Sequence, residues 1–515
     1  MDRLSRRSFL SLSSIASVVF LAPSLMRFLK ADSLNSNPFQ LGVASGAPST
    51  DGFVLWTRLI FDEMSTPDES IAVNWFVSDL ETNEIIQSGV APAISELAFS
   101  VHVDISGLES NRWYGYHFSV AGFVSVNGRA RTMPLMTDSV ESLHLAYASC
   151  QRYEDGFYVA YKDMVKQPLD LICFVGDYIY EYASRKDSLR GTGLKKVKSL
   201  DEYRARYELY KKDQNLQAAH AYCPWLIVWD DHEVKNNYYY LKSDKGYNDF
   251  IELKAAAYQA FYEHMPLSPK SLLEGVKGLK KGRLQIYQSI EFGRLAKIYL
   301  LDNRQYRDAP LCTVRAGSSL INVCDSLSAD SNSMLGQEQE SWLEKSLKNS
   351  KSLHSWHLLV QQTRFSPSNY RAGLGNKSSS DTWDGYPLAR QRLVDILSEN
   401  VVGRAVLIGG DIHQNWVANI HHNPYDVSSD VVAAEFTGTS ISSQSKATLK
   451  SIARSLQKNP HLLFADGTFR GYGYMKIYSD RVEVQLRAVK NISLPESDVF
   501  DLASFEYKKN NLVKL

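Results

Sequence analysis

The spacing of hydrophobic positions along the chain changes near residue 142. Between residues 38 and 136, short apolar or alternating runs are separated by regular turn residues, with no long helical period. Runs such as Phe53–Arg58 and Ile71–Val77 have the length and the β-branched and aromatic content of strands. Several such strands at regular spacing are typical of a β-sandwich. The sequence therefore predicts a small all-β domain over residues 38–136.

Residues 142–510 instead alternate strand-like apolar runs with helical segments. The pattern predicts strands at 144–148, 169–175, 225–229, 357–360 and 405–408, a closing antiparallel pair at 470–488, and helices at 156–165, 203–219, 252–264 and 337–347. Alternation of this kind favours an α/β fold. Because residues 283–292 and 295–301 predict a hairpin, the sheets are expected to be mixed. The predicted fold class is an α/β core of mixed β-sheets flanked by helices.

One segment of the first domain is similar to a known corner structure. Leu108 is followed by Trp113-Tyr114-Gly115-Tyr116-His117-Phe118, which resembles the tyrosine-bearing corner of immunoglobulin and fibronectin type III modules. The resemblance implies an immunoglobulin- or fibronectin-like sandwich. Nothing in this domain has a catalytic pattern, so candidate chemistry is expected within residues 142–510.

The N-terminal residues have the features of an export signal. Ser-Arg-Arg-Ser-Phe-Leu at residues 5–10 precedes a moderately apolar, serine-rich stretch that is short for a membrane span. This pattern resembles a twin-arginine signal over residues 1–32, and the alternatives are an ordinary secretory signal or a membrane anchor. The resemblance implies the twin-arginine export machinery as a partner. It also implies a periplasmic or secreted protein that keeps no stable membrane span after processing.

Composition narrows the choice of ligands and of covalent cross-links. The chain has 57 Lys plus Arg and 57 Asp plus Glu, so no overall field attracts a polyanion, and we find no nucleic-acid-binding motif. Five cysteines in 515 residues are too few for disulfides to make the fold. Cys312 and Cys324 flank a polar loop and form either a disulfide or two unpaired thiols. Because the net charge is zero, attraction to an anionic substrate must come from charges close to its binding site.

Four predicted strands end in residues of the types that bind metal ions. These strand ends are Ala148–Arg152, Gly176–Tyr180, Trp229–Glu233 and Gly409–His413. A single Asp or His after a strand is usually a cap or a turn former, but four such ends in one domain are hard to assign to capping alone. Asp177 and Tyr180 converging on one point suggest a highly charged ion that holds a phenol ionised. We therefore predict a metal site at these strand ends.

Those strand ends carry a family resemblance. Asp-x-x-Tyr after Gly176, Asp-His-Glu at 231–233 and Gly-Asp-x-His at 410–413 resemble the calcineurin-like metallophosphoesterases and purple acid phosphatases. The longer motifs Ala-Ser-Cys-Gln, Gly-Asp-Tyr-Ile-Tyr-Glu-Tyr and Trp-Asp-Asp-His-Glu-Val resemble the alkaline phosphatase D family, as does Asp-Asn-Arg-Gln-Tyr-Arg-Asp at 302–308. The resemblance implies a metallophosphoesterase core over residues 142–510.

The same resemblance implies a ligand set for two ions. Asp177 would bridge both sites, and Cys150, Tyr180 and His413 would complete the first, for which the family implies Fe(III). The second site would draw on Asp231 and Asp411, whose oxygen donors suit Ca²⁺ or another divalent ion. Relatives often supply a further histidine where this chain has Gln361-Gln362. Gln362 is the predicted amide ligand, and the alternative is that both glutamines only line the cleft.

The implied reaction is hydrolysis of a small-molecule phosphate ester by a metal-activated water. His232 would protonate the departing alkoxide or hydrogen-bond the phosphoryl group, or else would be a structural histidine held by Glu233. Arg152 is a candidate phosphate clamp, with a surface arginine as the alternative.

Three other functions stay open from the sequence. A phospholipase-D-like phosphodiesterase would use the same metals, so monoesters and diesters are both candidate substrates. A mononuclear iron redox protein would use Cys150, Tyr180 and His413 without a second ion. A non-catalytic binding protein would rely on the β-sandwich.

Overall fold

The structure is a computed structural model of the chain. It describes residues 34, 36–61, 70–239, 248–271, 284–312, 320–328, 331–368 and 377–515. The predicted export signal at residues 1–32 lies outside the described residues. Within these ranges we find no helix with both the length and the hydrophobicity that crossing a bilayer requires.

Strands outnumber helices along the described chain. In chain order the strands are β1 (Val43–Gly46), β2 (Phe53–Arg58), β3 (Ile71–Asp79), β4 (Ile85–Ala93), β5 (Ser100–Ile105), β6 (Trp113–Val120), β7 (Phe123–Val124), β8 (Gly128–Arg131), β9 (Ser142–Ala148), β10 (Leu171–Phe174), β11 (Trp225–Ile227), β12 (Gln288–Phe292), β13 (Ala296–Leu300), β14 (Leu320–Asn322), β15 (Trp356–Val360), β16 (Lys377–Ser379), β17 (Ala405–Gly409), β18 (Asn415–His421), β19 (Val431–Thr437), β20 (Leu462–Asp466), β21 (Arg470–Tyr478), β22 (Val482–Val489), β23 (Val499–Lys508) and β24 (Asn511–Lys514). The α-helices are α1 (Val159–Met164), α2 (Leu200–Lys211), α3 (Gln214–Tyr222), α4 (Asn248–His264), α5 (Gln337–Ser350), α6 (Pro387–Val401) and α7 (Leu449–Lys458). These elements form two compact units, one from the described residues within 1–135, 197–226 and 248–285, the other from those within 136–196, 227–247 and 286–515.

The first unit is built around antiparallel strands. Strand β3 lies between β4 and β6, and β6 also pairs with β7 and β8. Strand β2 lies between β1 and β5. Apolar side chains from both sets of strands, such as Leu55 and Phe118, share one core. The Tyr114 hydroxyl donates to the Glu109 carbonyl at 3.1 Å, which is the corner contact that the sequence predicts.

The helical pattern at 203–219 folds as two helices in this unit rather than as one. Helix α2 ends at Lys211 and α3 begins at Gln214. Asp213 is the N-cap of α3, and its carboxylate accepts from the backbone N–H groups of Asn215 at 3.0 Å and Leu216 at 3.2 Å. This cap ends the continuous helical pattern that the apolar spacing predicts.

The second unit contains two mixed sheets, as predicted. One runs in the order β24-β23-β22-β21-β9-β10, with β9 and β10 parallel and the other pairs antiparallel. The other runs β12-β13-β15-β17-β19-β18-β20, with parallel pairing from β13 to β19. The sheets contact each other through aromatic side chains, including Phe436 and Phe464 against Phe505. Helices α5 and α6 cover the second sheet through a core that includes Leu343 and Leu393.

Two strand pairs predicted from the spacing of apolar residues are observed at the predicted positions. The predicted hairpin is observed as antiparallel β12 and β13, and the closing pair as β21 and β22.

Cys312 and Cys324 form a disulfide, which answers the alternative left open by the sequence. Small β14 and β16 pair with each other and complete the strands of this unit among the described residues.

Candidate metal centre

The predicted ligands follow the carboxyl ends of four strands. Cys150 follows β9, Asp177 follows β10, Asp231 follows β11 and Asp411 follows β17. A backbone hydrogen bond joins two of these loops: the Cys150 N–H donates to the Gly176 carbonyl at 3.1 Å. Strands β9 and β10 are parallel and end at the same edge of one sheet, which is where ligands bind in open α/β folds. Strand β17 belongs to the other sheet of this unit, so the candidate ligands come from strand ends of both sheets.

Four of the predicted ligands adopt a backbone conformation that side-chain-bearing residues rarely use. The φ angles are 58° at Cys150, 57° at Asp177, 66° at Asp411 and 55° at His413. Each costs about 1–3 kcal/mol and persists only where the surroundings enforce it. Because Asp and His adopt this region more readily than most residues, the strain is clearest at Cys150. Gly176, before Asp177, has φ 99°, and a Cβ there would lie 2.4 Å from the Asp230 side chain.

A first cluster joins a thiol, a carboxylate, a phenol and an imidazole. Cys150 Sγ lies 3.5 Å from Asp177 Oδ2, and the Tyr180 hydroxyl donates to the same oxygen at 2.9 Å. The Tyr180 oxygen is 3.1 Å from His413 Nε2. All four side chains are buried or half-buried. The structure thus brings together the residues that the sequence assigned to the first ion.

The protonation states of this cluster depend on whether a cation is present. Burial, and then the Asp177 carboxylate, raise the pKa of the Cys150 thiol and of the Tyr180 phenol well above their usual values. Burial lowers the pKa of His413 to about 4, which leaves its imidazole neutral. Neutral imidazole is the ligating form, whereas the thiol and the phenol need a cation to stabilise their anions.

A second cluster contains three aspartates. Ligand oxygens of Asp230, Asp231 and Asp411 lie within 4.8 Å of one another, and a similar group joins Asp231 to Asp177 and His232. Asp230 Oδ2 and Asp231 Oδ1 are buried and have no hydrogen-bond partner among the described residues. Burial, and then the charge of nearby Asp381, raise the pKa of Asp411 to about 7. Buried carboxylate oxygens without partners are a donor set that fits a hard cation.

A buried guanidinium lies among these carboxylates. Arg304 Nε donates to Asp230, and Arg304 Nη1 donates to Asp381 Oδ1 at 2.5 Å. Arg304 Nη2 lies 3.3 Å from Asp411 Oδ1 and 3.6 Å from Asp231 Oδ1, but it makes no hydrogen bond among the described residues. The side chain of Arg304 is 0% exposed. Arg304 therefore supplies positive charge inside the second cluster.

His232 is held by a glutamate other than the one next to it in the chain. Its Nδ1 lies 2.7 Å from Glu181 Oε2. Glu233 instead accepts from the backbone N–H groups of Asp177 at 3.0 Å and Asp230 at 2.8 Å. The alternative of a histidine held by Glu233 is therefore wrong. Burial lowers the pKa of His232, but the carboxylates of Asp231, Asp177 and Glu181 outweigh burial and raise it well above its usual value.

Arg152 and Gln362 differ in their relation to the centre. The Arg152 guanidinium carbon is 5.9 Å from the centroid of the Tyr180 ring, and its Nε is 3.7 Å from Glu154. Gln362 uses both ends of its amide on backbone groups: Oε1 accepts from the Asn303 N–H at 3.1 Å, and Nε2 donates to the Leu301 carbonyl at 2.8 Å. The structure therefore places Arg152 beside the first cluster and does not bring Gln362 into either one.

Sequence reasoning assigned no role to several residues that shape the site. Ser443 donates to the Tyr180 oxygen at 2.8 Å, and the carbonyl of Gln444 lies 2.9 Å from His413 Nδ1. The second contact directs Nε2 of His413 toward the cluster. Arg304 and Glu181 belong to motifs that carry the family resemblance, so those motifs could have identified them as residues of the site. Ser443 and Gln444 have no such local signal.

The chain is similar to known phosphatases over most of its length. Residues 145–486 match the PhoD-like phosphatase family, and residues 25–134 match the PhoD-like phosphatase N-terminal domain. The chain is 37% identical over 494 residues to alkaline phosphatase D of Bacillus subtilis (strain 168), covering 93% of this chain and 82% of that protein. A solved structure of PhoD superimposes with a TM-score of 0.87 at 36% identity, covering 94% of this chain and 93% of that one.

The chain belongs to the PhoD-like phosphatase family, and it is a phosphoric ester hydrolase. The resemblance to the alkaline phosphatase D family is thereby confirmed. The candidate metal-binding groups at the strand ends agree with metal dependence in this family.

Proposed function

We propose that this protein is an exported metallophosphoesterase that hydrolyses phosphate monoesters, diesters or both. The observation that carries the proposal is the position of Asp177. Its Oδ2 contacts Cys150 and Tyr180 in the first cluster, and it also belongs with Asp231 and His232 in a second candidate group. A carboxylate shared between two groups of donors suits a bridging ligand of a two-metal site.

The donor sets support two unlike ions. Cys150, Asp177, Tyr180 and His413 would hold the first, and thiolate, phenolate and imidazole donors favour Fe(III). Asp177, Asp231 and Asp411 would hold the second, for which all-oxygen donors favour Ca²⁺ or another divalent ion. Gln362 is left out of this set because its amide is used elsewhere. When bound, such a pair of ions neutralises phosphate oxygens and lowers the pKa of water.

The side chains around these donors would handle charge and protons. Glu181 holds His232 by Nδ1, which leaves Nε2 as the nitrogen that would protonate the leaving oxygen. Arg152, beside Tyr180, would contact a phosphoryl oxygen with its guanidinium. The buried surroundings of Asp177 exclude bulk water and strengthen these electrostatic interactions.

The remaining parts of the proposal concern domains and export. We propose a twin-arginine signal at residues 1–32, an immunoglobulin- or fibronectin-like domain at 38–136 and a metallophosphoesterase domain at 142–510. Export by the twin-arginine machinery would make the protein periplasmic or secreted. Fusing residues 1–37 to a reporter tests this part, and export that is independent of Arg6 and Arg7 would contradict it.

Metal removal tests the proposed hydrolysis. We expect the purified protein to contain iron and a second cation by elemental analysis and to hydrolyse 4-nitrophenyl phosphate, bis(4-nitrophenyl) phosphate or both. Because the second ion stabilises charge in the transition state, a chelator that removes it should lower turnover at least about tenfold, and added Ca²⁺ should restore it. Full turnover after both metals are removed would contradict the proposal.

Replacing Tyr180 by phenylalanine tests the first site. We expect an iron-loaded protein to show a visible absorption band from ionised tyrosine bound to Fe(III), and Tyr180→Phe to lose it while keeping the fold. Tyr182→Phe is the matched control, because the Tyr182 hydroxyl donates to Asn236 at 2.7 Å and lies outside the first cluster. Because a Cys150 thiolate would also absorb in the visible, the tyrosine band is identified by its phenolate ring vibrations in resonance Raman spectra. Phenolate vibrations that survive Tyr180→Phe would remove Tyr180 from the ligand set.

A further inference from the structure

A band of aromatic and basic side chains leads from His232 toward solvent. The His232 ring contacts two tyrosine rings, with centroid distances of 4.3 Å to Tyr180 and 5.0 Å to Tyr182. Tyr180 is buried and Tyr182 is half-buried, so Tyr182 is the ring nearer solvent. Because the Tyr182 hydroxyl donates to Asn236 at 2.7 Å, the position of its ring is fixed.

Two cations flank the Tyr182 ring. The Arg152 guanidinium carbon lies 5.7 Å from the ring centroid, and Lys196 Nζ lies 6.0 Å from it. These distances are at the outer limit of favourable cation–π contacts. Arg152 also lies 5.9 Å from the Tyr180 ring, so its charge is shared between the metal-proximal tyrosine and the outer one.

Of the two cations, Arg152 is paired with carboxylates within the protein and Lys196 is not, among the described residues. Among the described residues, no carboxylate forms an ion pair with exposed Lys196. Arg152 Nε lies 3.7 Å from Glu154 and 3.8 Å from Asp155, yet it makes no hydrogen bond among the described residues. Residues 183–198 contain six Lys or Arg residues and one acidic residue in a chain of zero net charge. The loop that carries Lys196 therefore has a local excess of basic residues.

The position of His232 determines which part of a substrate meets this band. If His232 protonates the leaving oxygen, then the carbon atoms attached to that oxygen must continue past the imidazole. The Tyr182 ring contacts His232, and Lys196 lies against the Tyr182 ring. An aromatic face suits the carbon skeleton of the alcohol, and the Lys196 ammonium suits an anionic substituent on it.

We propose that Tyr182 and Lys196 form a leaving-group subsite that selects phosphate esters whose alcohol carries a second anionic group, such as a carboxylate or another phosphate, while Arg152 contacts the phosphoryl group. This inference rests on the proposed function, and in particular on His232 as the proton donor. Lys196 supplies charge that attracts the substituent, and it takes no part in bond breaking. Its contribution should therefore depend on the charge of the leaving group and on ionic strength.

The test compares two esters of nearly equal size, 3-carboxyphenyl phosphate and 3-carbamoylphenyl phosphate. The quantity measured is the ratio of kcat/KM for the anionic ester to kcat/KM for the neutral one, with the metal-loaded enzyme at low salt. We expect Lys196→Gln to lower this ratio about three- to fivefold and Lys196→Glu about tenfold, as expected for one or two unit charges near the surface. Added salt should shrink both effects.

Lys186→Gln is the matched control, because it removes an exposed lysine of the same loop that has no contact with Tyr182. Its ratio should stay within about twofold of that of the unsubstituted enzyme, in line with ordinary surface substitutions. A Lys196→Glu ratio equal to that of Lys186→Gln overturns the subsite while leaving the hydrolase intact. If the metal-loaded enzyme hydrolyses neither these esters nor the 4-nitrophenyl esters, the proposed function fails and the subsite fails with it.

Discussion

Replacing Arg304 by methionine should destabilise the metal-free protein by about 3–5 kcal/mol. The substitution keeps a long side chain but removes a buried positive charge that contacts Asp230 and Asp381 and that faces Asp411. Buried carboxylates would then repel each other without a compensating cation. The measurement is the free energy of unfolding from urea titrations of protein stripped of metal.

Metal binding should reverse much of this loss. A bound divalent ion supplies charge to the same carboxylates, so the difference between Arg304→Met and the unsubstituted protein should shrink when both are metal-loaded. Arg307→Met is the matched control, since Arg307 donates to Asp381 at 3.0 Å and to the Tyr238 carbonyl at 2.9 Å, neither of which belongs to the proposed ligand set. Its loss should be similar with and without metal. Equal losses for Arg304→Met in both states would mean that Arg304 does not compensate the metal site.

Strand ends were predictable because their signal is local. A short apolar run such as β10 is buried on both faces, and the first polar residues after it must leave the core. Four such runs ending in Cys150, Asp177, Asp231 and Asp411 could be located from the printed sequence alone. The rule that parallel strands end at one edge explains why the residues after β9 and β10 meet. It does not cover Asp411, because β17 lies in the other sheet and its approach depends on how the two sheets pack.

The partners of these ligands were not predictable from spacing. Arg304 and Asp230 are separated by 74 positions, and Ser443 and Tyr180 by 263. Hydrogen bonds over such separations depend on how sheets and loops pack, which no local period encodes. The same reason explains the wrong prediction for Gln362. Its amide hydrogen-bonds to the backbone groups of Leu301 and Asn303, which the spacing of residues does not show.

The interpretation of His232 shows where adjacency in sequence misleads. Glu233 is its neighbour in the chain, but successive residues in a turn point in different directions. Glu233 faces the loop backbone and accepts from Asp177 and Asp230, whereas Glu181 approaches His232 from a separate loop. The residue that holds His232 is therefore 51 positions away in the sequence, and its neighbour in the chain gave the wrong partner.

Replacing His232 by glutamine should lower turnover by about 10²–10⁴-fold for an ester with a poor leaving group. Glutamine retains a polar side chain but cannot donate a proton to a departing alkoxide. Because His232 lies outside the proposed ligand set, elemental analysis should find the same metal content as in the unsubstituted protein. The measurement is kcat for a simple alkyl phosphate and for 4-nitrophenyl phosphate, whose leaving group needs little protonation.

The comparison between the two esters separates the two roles considered for His232. If it is a proton donor, His232→Gln should affect the alkyl ester much more than the 4-nitrophenyl ester. If it only hydrogen-bonds the phosphoryl group, both esters should be affected equally. Glu181→Gln is the companion variant, because it keeps one hydrogen-bond acceptor for Nδ1 and removes the negative charge, together with the second acceptor that the Asn236 N–H uses at 3.2 Å. We expect Glu181→Gln to lower turnover about tenfold, with the larger loss again on the alkyl ester. An equal loss on both esters would show that His232 does not act as the acid.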